Sequence, residues 1–418
     1  LRYGADVSAV TLCAMEESRA SRRESSRMSA LMRRVRTRLG LAGGRDAAAV
    51  RHYNTVLTRL PRERRLIVFE SMMGTQFSDS PRAIYDELVH QGIDATPVWS
   101  VRPRTPVPAG VPTVIRYTAD WYRALATASV WIDNQGLPFA LRKPDRVTYI
   151  QTWHGTPLKK MGWNDAALAS ADADQQAAVR AAVSRWDVVP VPSDYFTETI
   201  VDAYCAPAMP LAVGMPRNDR LHRALDTDVR RERLHALGLR DDRRTVLYAP
   251  TRKGAGHERV YAAADWPSIL AADPSLQVMH RAHYTDVLES TASTNPQVVD
   301  VSTVGDMAEL LDVTDVLVTD YSSVLFDFAL TDRPIILFQP DQAEYFAQRG
   351  VYYDIRGFSP GPIATTPAEL AELVHTVDRW VDDWAGQRAA YRSRFGTYEH
   401  GDAAARIVRD IVLPAISG

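Results

Sequence analysis

The chain contains only two cysteines, Cys13 and Cys205, in 418 residues. That count excludes a disulfide-stapled scaffold or a cysteine-rich zinc site, and it suits a reducing compartment. Long apolar runs are missing too. No stretch of about 18 apolar residues occurs, so no transmembrane helix is expected. The first residues, Leu1-Arg2-Tyr3-Gly4, lack an apolar h-region, so no signal peptide is expected either. Lysine is scarce, confined to Lys143, Lys159, Lys160 and Lys253, and arginine supplies the other cations. We read that bias mainly as genomic composition. What is present, 46% hydrophobic and 24% charged residues, excludes a disordered chain, and the length suits two domains plus an extension.

The formal net charge of -2 conceals an uneven distribution. Residues 19–65 carry +11 and residues 1–18 carry -2, which leaves -11 for residues 66–418. A basic arm is attached to an acidic body. Within the arm, Met28, Leu31, Met32, Val35 and Leu39 fall on one face of a helix. Arg27, Arg33, Arg34, Arg36 and Arg38 crowd its remaining surface. Such a helix can lie on an anionic membrane surface, or pack on the body with a solvated arginine face. No basic repeat interleaved with aromatics occurs, so nucleic acid is not an expected partner.

From residue 66 onward, short apolar runs alternate with helical stretches. Residues 66–71, 96–101, 113–117, 130–134, 147–153 and 187–192 are predicted strands, with helices over 81–91 and 119–128. A second set follows at 244–248, 276–280, 297–301, 316–320 and 334–338. Strand–helix alternation predicts parallel sheets covered on both faces. The expected fold is therefore α/β, with two Rossmann-like domains facing across a cleft and a basic helical N-terminal arm. The boundaries are 1–65 for the arm, 66–214 for the first domain, 215–240 for a crossing and 241–418 for the second. Ligands in such sheets bind at the carboxyl ends of strands.

Four segments place polar residues at those ends. In Trp153-His154-Gly155-Thr156-Pro157-Leu158-Lys159, a strand delivers His154 to a loop, with a titration range suited to taking a proton from a hydroxyl. The alternative is a structural histidine. In Ala249-Pro250-Thr251-Arg252-Lys253, Arg252 can hold phosphate, or the segment is a solvated turn. His280 and His283 stand three apart, but no carboxylate or cysteine follows at ligand spacing, so phosphate contact or structure is favoured over zinc. In Asp320-Tyr321-Ser322-Ser323, either serine can cap the apolar helix that follows, and the helix start suits a pyrophosphate.

As a set, these segments, together with Pro216-Arg217-Asn218-Asp219, His283-Tyr284 and Phe326-Asp327, resemble the CDP-glycerol:poly(glycerophosphate) glycerophosphotransferase family over about residues 66–410. The resemblance implies a GT-B architecture. It also implies transfer of a polyol phosphate from a CDP-activated donor to the hydroxyl of a growing teichoic-acid-like or capsule polymer, with release of CMP. By matching position, His154 is the expected base, and His283 a second essential histidine beside the donor phosphates. Ser322 and Ser323 are the pyrophosphate pair, with Arg252, Asp320 and Asp327 as further donor-side residues. Gly155, Thr156, Lys159, Arg217, Asn218 and Asp219 are motif positions without an assigned step. A lipid-linked or polymeric acceptor is implied, along with a peripheral site on the cytoplasmic face of the membrane, reached through residues 19–45. No metal site or cofactor is assigned, and Mg²⁺ assistance is left open. The alternatives are a CDP-ribitol donor and a sugar-nucleotide glycosyltransferase on the same fold.

Overall fold

The structure, a computed structural model, describes residues 44–251, 264, 266–281, 295–348 and 350–418. The arm helix expected over residues 28–39 lies outside them, as do Arg252 and His283.

Among the described residues, thirteen strands form two parallel sheets. The first sheet holds β1 (Leu66–Glu70), β2 (Thr96–Val101), β3 (Thr113–Ile115), β4 (Val130–Asp133), β5 (Thr148–Gln151), β6 (Val188–Val191) and β7 (Met209–Ala212) in the order β3-β2-β1-β4-β5-β6-β7. The second holds β8 (Arg244–Ala249), β9 (Leu276–His280), β10 (Val298–Asp300), β11 (Val316–Thr319), β12 (Ile335–Phe338) and β13 (Ile363–Ala364) in the order β10-β9-β8-β11-β12-β13. Every strand expected from the sequence is present. The two that were not expected are weakly marked. β7 is an edge strand, largely exposed and carrying Pro210, and β13 has two residues.

The strands read as continuous apolar runs because both faces of each sheet are covered. In β1, Leu66 and Val68 enter one apolar cluster while Ile67 and Phe69 enter the one on the opposite face. In β11, Val316 and Val318 face one way and Leu317 the other. This period-2 alternation gives each sheet two cores. Helices Asp79–His90 and Ala119–Thr127 cover the first sheet, close to the spans their patterns predicted.

Both sheets reverse their winding direction between the first strand and the fourth, at β1/β4 and at β8/β11. These switch points leave a crevice at the carboxyl ends. The lobes also exchange material. Leu158 and Tyr195 of the first lobe are buried in an apolar cluster of the second. Residues 403–416, placed by sequence in the second domain, pack instead against Ile67, Phe69 and Ile84 beside the first sheet. Their apolar faces complete a core that the first lobe alone leaves open.

Candidate active site

His154 enters the site from the end of β5, and its ring is held on two sides. Nδ1 lies 2.8 Å from the backbone oxygen of Asn134, at the end of β4. A carbonyl oxygen can only accept, so Nδ1 carries the proton and Nε2 is the lone-pair nitrogen of the neutral ring. The indole of Trp153 stacks on the imidazole with centroids 4.7 Å apart. Trp153 itself has a left-handed backbone, φ 56°.

Beneath this turn lies a buried polar group at the first switch point. Asp133 and Glu70 are register partners on β4 and β1. Oδ1 of Asp133 accepts from Gln151 Nε2 (2.6 Å), Tyr149 Oη (3.0 Å) and the Gly136 N–H (3.2 Å). Burial, and then the nearby Glu70 charge, push the Asp133 carboxyl up to about 7. Burial likewise raises Glu70, against the opposing charge of Arg116.

At the second switch point, Asp320 ends β11, and its Oδ1 accepts from the N–H groups of Thr251 and Tyr321 and from the Thr251 hydroxyl. Burial raises the Asp320 carboxyl despite these bonds and the Lys159 charge nearby. Ser323 occupies the capping position of helix Val324–Ala329, yet its hydroxyl makes no capping bond, whereas Ser322 Oγ accepts from the Val324 N–H at 3.5 Å. The expectation that either serine caps the helix narrows to a long bond from Ser322.

The two lobes meet at Gly155. A Cβ there would stand 2.6 Å from Ser323 Oγ and 3.2 Å from Arg217 Nη2, and φ is 147°. Arg217 forms the floor of this contact. Its Nη2 donates to both oxygens of Asp327 (3.0 and 2.8 Å) and its Nη1 to Asp79 (3.2 Å). Burial works against the guanidinium charge, but Asp327 and Asp79 outweigh it and hold the pKa above its ordinary value. Asn218 Nδ2 donates to Asp327 (3.2 Å) and to Glu399 (2.8 Å). Burial pushes the Glu399 carboxyl up to about 8. Lys159 brings the same loop to the second lobe, where its Nζ lies 5.8 Å from the Tyr345 ring centroid. Its backbone bridges to Val351.

The structure therefore gathers Gly155, Arg217, Asn218, Ser323 and Asp327 around one interlobe contact, with His154 on the adjoining turn, Thr156 buried beside it, and Lys159 reaching the second lobe separately at Tyr345 and Val351. Asp219 is elsewhere: it accepts from the Ala403 and Ala404 N–H groups (2.9 and 2.8 Å) and starts the C-terminal helices. Burial raises its carboxyl to about 6. Asp320 and Asp327, expected on the donor side, accept hydrogen bonds from Thr251 and Tyr321 and from Arg217 and Asn218, respectively. Sequence reasoning passed over Asp79, Asn134 and Glu399. Asn134 carries the signal used elsewhere, a polar residue at a strand end. Glu399 carries none, because its partners come from the crossing at residues 214–218. Among the described residues, no group of three or more His, Cys, Asp or Glu is arranged to hold a metal ion.

Two nucleotide-binding-type sheets with polar switch points opposed across one cleft define a GT-B-like enzyme. The family model for CDP-glycerol:poly(glycerophosphate) glycerophosphotransferase matches residues 52–413, and the chain belongs to this family. It is 32% identical to a teichoic acid glycerol-phosphate transferase of Staphylococcus aureus, over 85% of this chain and 95% of that protein. It is also 32% identical to a teichoic acid poly(glycerol phosphate) polymerase of Bacillus spizizenii, over 85% and 94%. A solved structure of the wall teichoic acid polymerase TagF soaked with CDPG superposes with TM-score 0.79 at 28% identity, over 96% of this chain and 98% of that chain.

Proposed function

We propose that this enzyme transfers glycerol phosphate from CDP-glycerol to the terminal hydroxyl of a teichoic-acid-like acceptor and releases CMP, with His154 as the general base. The observation that carries the assignment is the packing of Gly155 on Ser323, which sets the His154 turn of one sheet against the end of β11 in the other. His154 Nε2 takes the acceptor proton, and the hydroxyl oxygen attacks the phosphorus bearing glycerol. The pyrophosphate bridge then breaks, and its bridging oxygen leaves with CMP. Such a transfer needs in-line positioning and charge stabilisation more than covalent help. Ser322, Ser323 and Lys159 are the donor-side groups on this reading, with Arg252 and His283 from the sequence motifs. Asp320, Arg217, Asn218 and Asp327 hold the frame.

The test is CMP release across a panel of CDP-glycerol, CDP-ribitol and sugar nucleotides, with His154→Ala alongside. Turnover of CDP-glycerol that is lost in a folded His154→Ala variant is expected. A variant as fast as the parent removes His154 from the chemistry, and turnover of sugar nucleotides alone overturns the donor class.

The Arg-rich segment of residues 19–45 supplies an anionic-membrane contact on this reading, at about 1 kcal/mol per cation near the lipid. Exposed Arg51, Arg59 and Arg64 continue that charge onto the first lobe. No helix among the described residues is long and apolar enough to cross a membrane. Deleting residues 19–45 should weaken sedimentation with anionic liposomes and spare turnover of a soluble acceptor. Unchanged lipid binding would refute the contact.

A further inference from the structure

We propose that Gln151 is a positioning residue for His154: its side-chain amide holds the left-handed backbone of Trp153 and so fixes where the imidazole stands. The inference rests on the reading of His154 as the base.

Gln151 ends β5 and is fully buried. A buried amide in a parallel sheet is costly unless both ends are bonded. Here Nε2 donates to Asp133 Oδ1 at 2.6 Å, and Oε1 accepts from the Trp153 N–H at 2.8 Å. The direction of the amide is not arbitrary. Asp133 Oδ1 already accepts from Tyr149 Oη and the Gly136 N–H, so the nitrogen of Gln151 must face it and the oxygen must face Trp153.

Trp153 needs that bond. A bulky residue with φ 56° lies in a sparsely populated region that costs about 1–3 kcal/mol and persists only where its surroundings impose it. Its indole is anchored in the core against Trp186 and Tyr204, with centroids 6.0 and 5.6 Å away. The Thr152 N–H and hydroxyl both donate to the Asp133 backbone oxygen, at 2.8 and 3.1 Å. With residues 152 and 153 held in this way, the next residue places its ring on the indole and its Nδ1 on the Asn134 carbonyl. Releasing the Trp153 N–H frees the backbone to relax, and both contacts of the His154 ring relax with it. Strain at a turn that carries a candidate base is the pattern expected of preorganisation.

The test uses Gln151→Met, which keeps the volume and removes both hydrogen bonds, and Gln151→Asn, one methylene too short to reach both partners. For each folded variant, kcat for CMP release should fall by about 10- to 100-fold while KM for CDP-glycerol changes by less than about threefold. Gln151→Glu should recover most of the rate, because a neutral buried carboxylic acid keeps a donor to Asp133 and an oxygen to Trp153. Ring-nitrogen NMR of His154 should report protonated Nδ1 in the parent and a mixed tautomer in Gln151→Asn. A kcat within about twofold of the parent, with the parent tautomer, in folded Gln151→Asn would overturn the proposal even if Gln151→Met fails to fold. A His154→Ala variant of parent rate would fault the base assignment instead, and the tautomer measurement would still judge Gln151.

Discussion

Gly155 and Ser323 touch so closely that a single methyl group on Gly155 would stand 2.6 Å from the serine Oγ. This contact joins the two lobes where the motif turns of both sheets end. We predict that Gly155→Ala costs about 2–4 kcal/mol, since the new Cβ meets Ser323 and Arg217 and the residue must also hold φ 147°. CMP release should fall with it. A melting temperature and a rate both equal to the parent's would mean that the lobes do not meet here.

Arg217 lies between two buried carboxylates, so removing its charge leaves Asp79 and Asp327 facing each other. Arg217→Met should destabilise by about 3–5 kcal/mol in urea unfolding. The double variant Arg217→Met with Asp327→Asn should lose less than the sum of the two single variants, by about 1 kcal/mol or more. Strict additivity would remove the proposed tie between the crossing and helix Val324–Ala329.

Glu399 makes stability depend on pH in an unusual direction. Its carboxyl is raised from 4.5 to about 8 in the folded chain. Between those values the native state binds more protons than the unfolded state, so its contribution is full below pH 4.5 and is lost as pH rises through about 8. Asp133, raised to about 7, adds the same sign over a narrower window. Glu399→Gln keeps an oxygen for the Met215 N–H and Asn218, and its new amide replaces an Oε2 that has no hydrogen-bond partner. We expect the variant to flatten the decline in melting temperature from pH 5 to 8. An unchanged pH profile would assign the decline to other groups.

Tyr352 fastens the segment after His154 to the second lobe. Its Oη accepts from the Met161 N–H at 3.0 Å and from Asn164 Nδ2 at 3.2 Å, while its own backbone N–H donates to the Leu158 oxygen at 3.0 Å. Tyr352→Phe should cost about 1–2 kcal/mol and speed amide exchange at Met161. Exchange equal to the parent's would show that the backbone pairing alone holds the segment.

The sequence was most legible where a local pattern met a covalent neighbour. Each expected strand is present because burial on both faces demands a continuous apolar run. The strand-end rule singles out residues at the carboxyl ends of the sheets: Thr251 and Asp320 stand at the β8/β11 switch point, and His154 follows β5, the neighbour of β4. Asp133-Asn134 ends β4 in the same way, and the Asn134 carbonyl holds the His154 ring. Motif membership gave Asp219 no task, and the structure shows it accepting from the Ala403 and Ala404 N–H groups at the start of helix 403–407.

The sequence by itself determined the two α/β units, the family and the turn that carries the histidine, because periodicity and motif spacing are local. Only the tertiary structure decided which nitrogen of His154 bears the proton, why position 155 is glycine, and what Arg217 and Gln151 do. Those properties depend on atoms that meet across strands and lobes: a carbonyl from β4, a hydroxyl from the second sheet, carboxylates from two helices. Hydrogen bonding and close packing act over a few ångströms of space, and sequence separation does not record that distance.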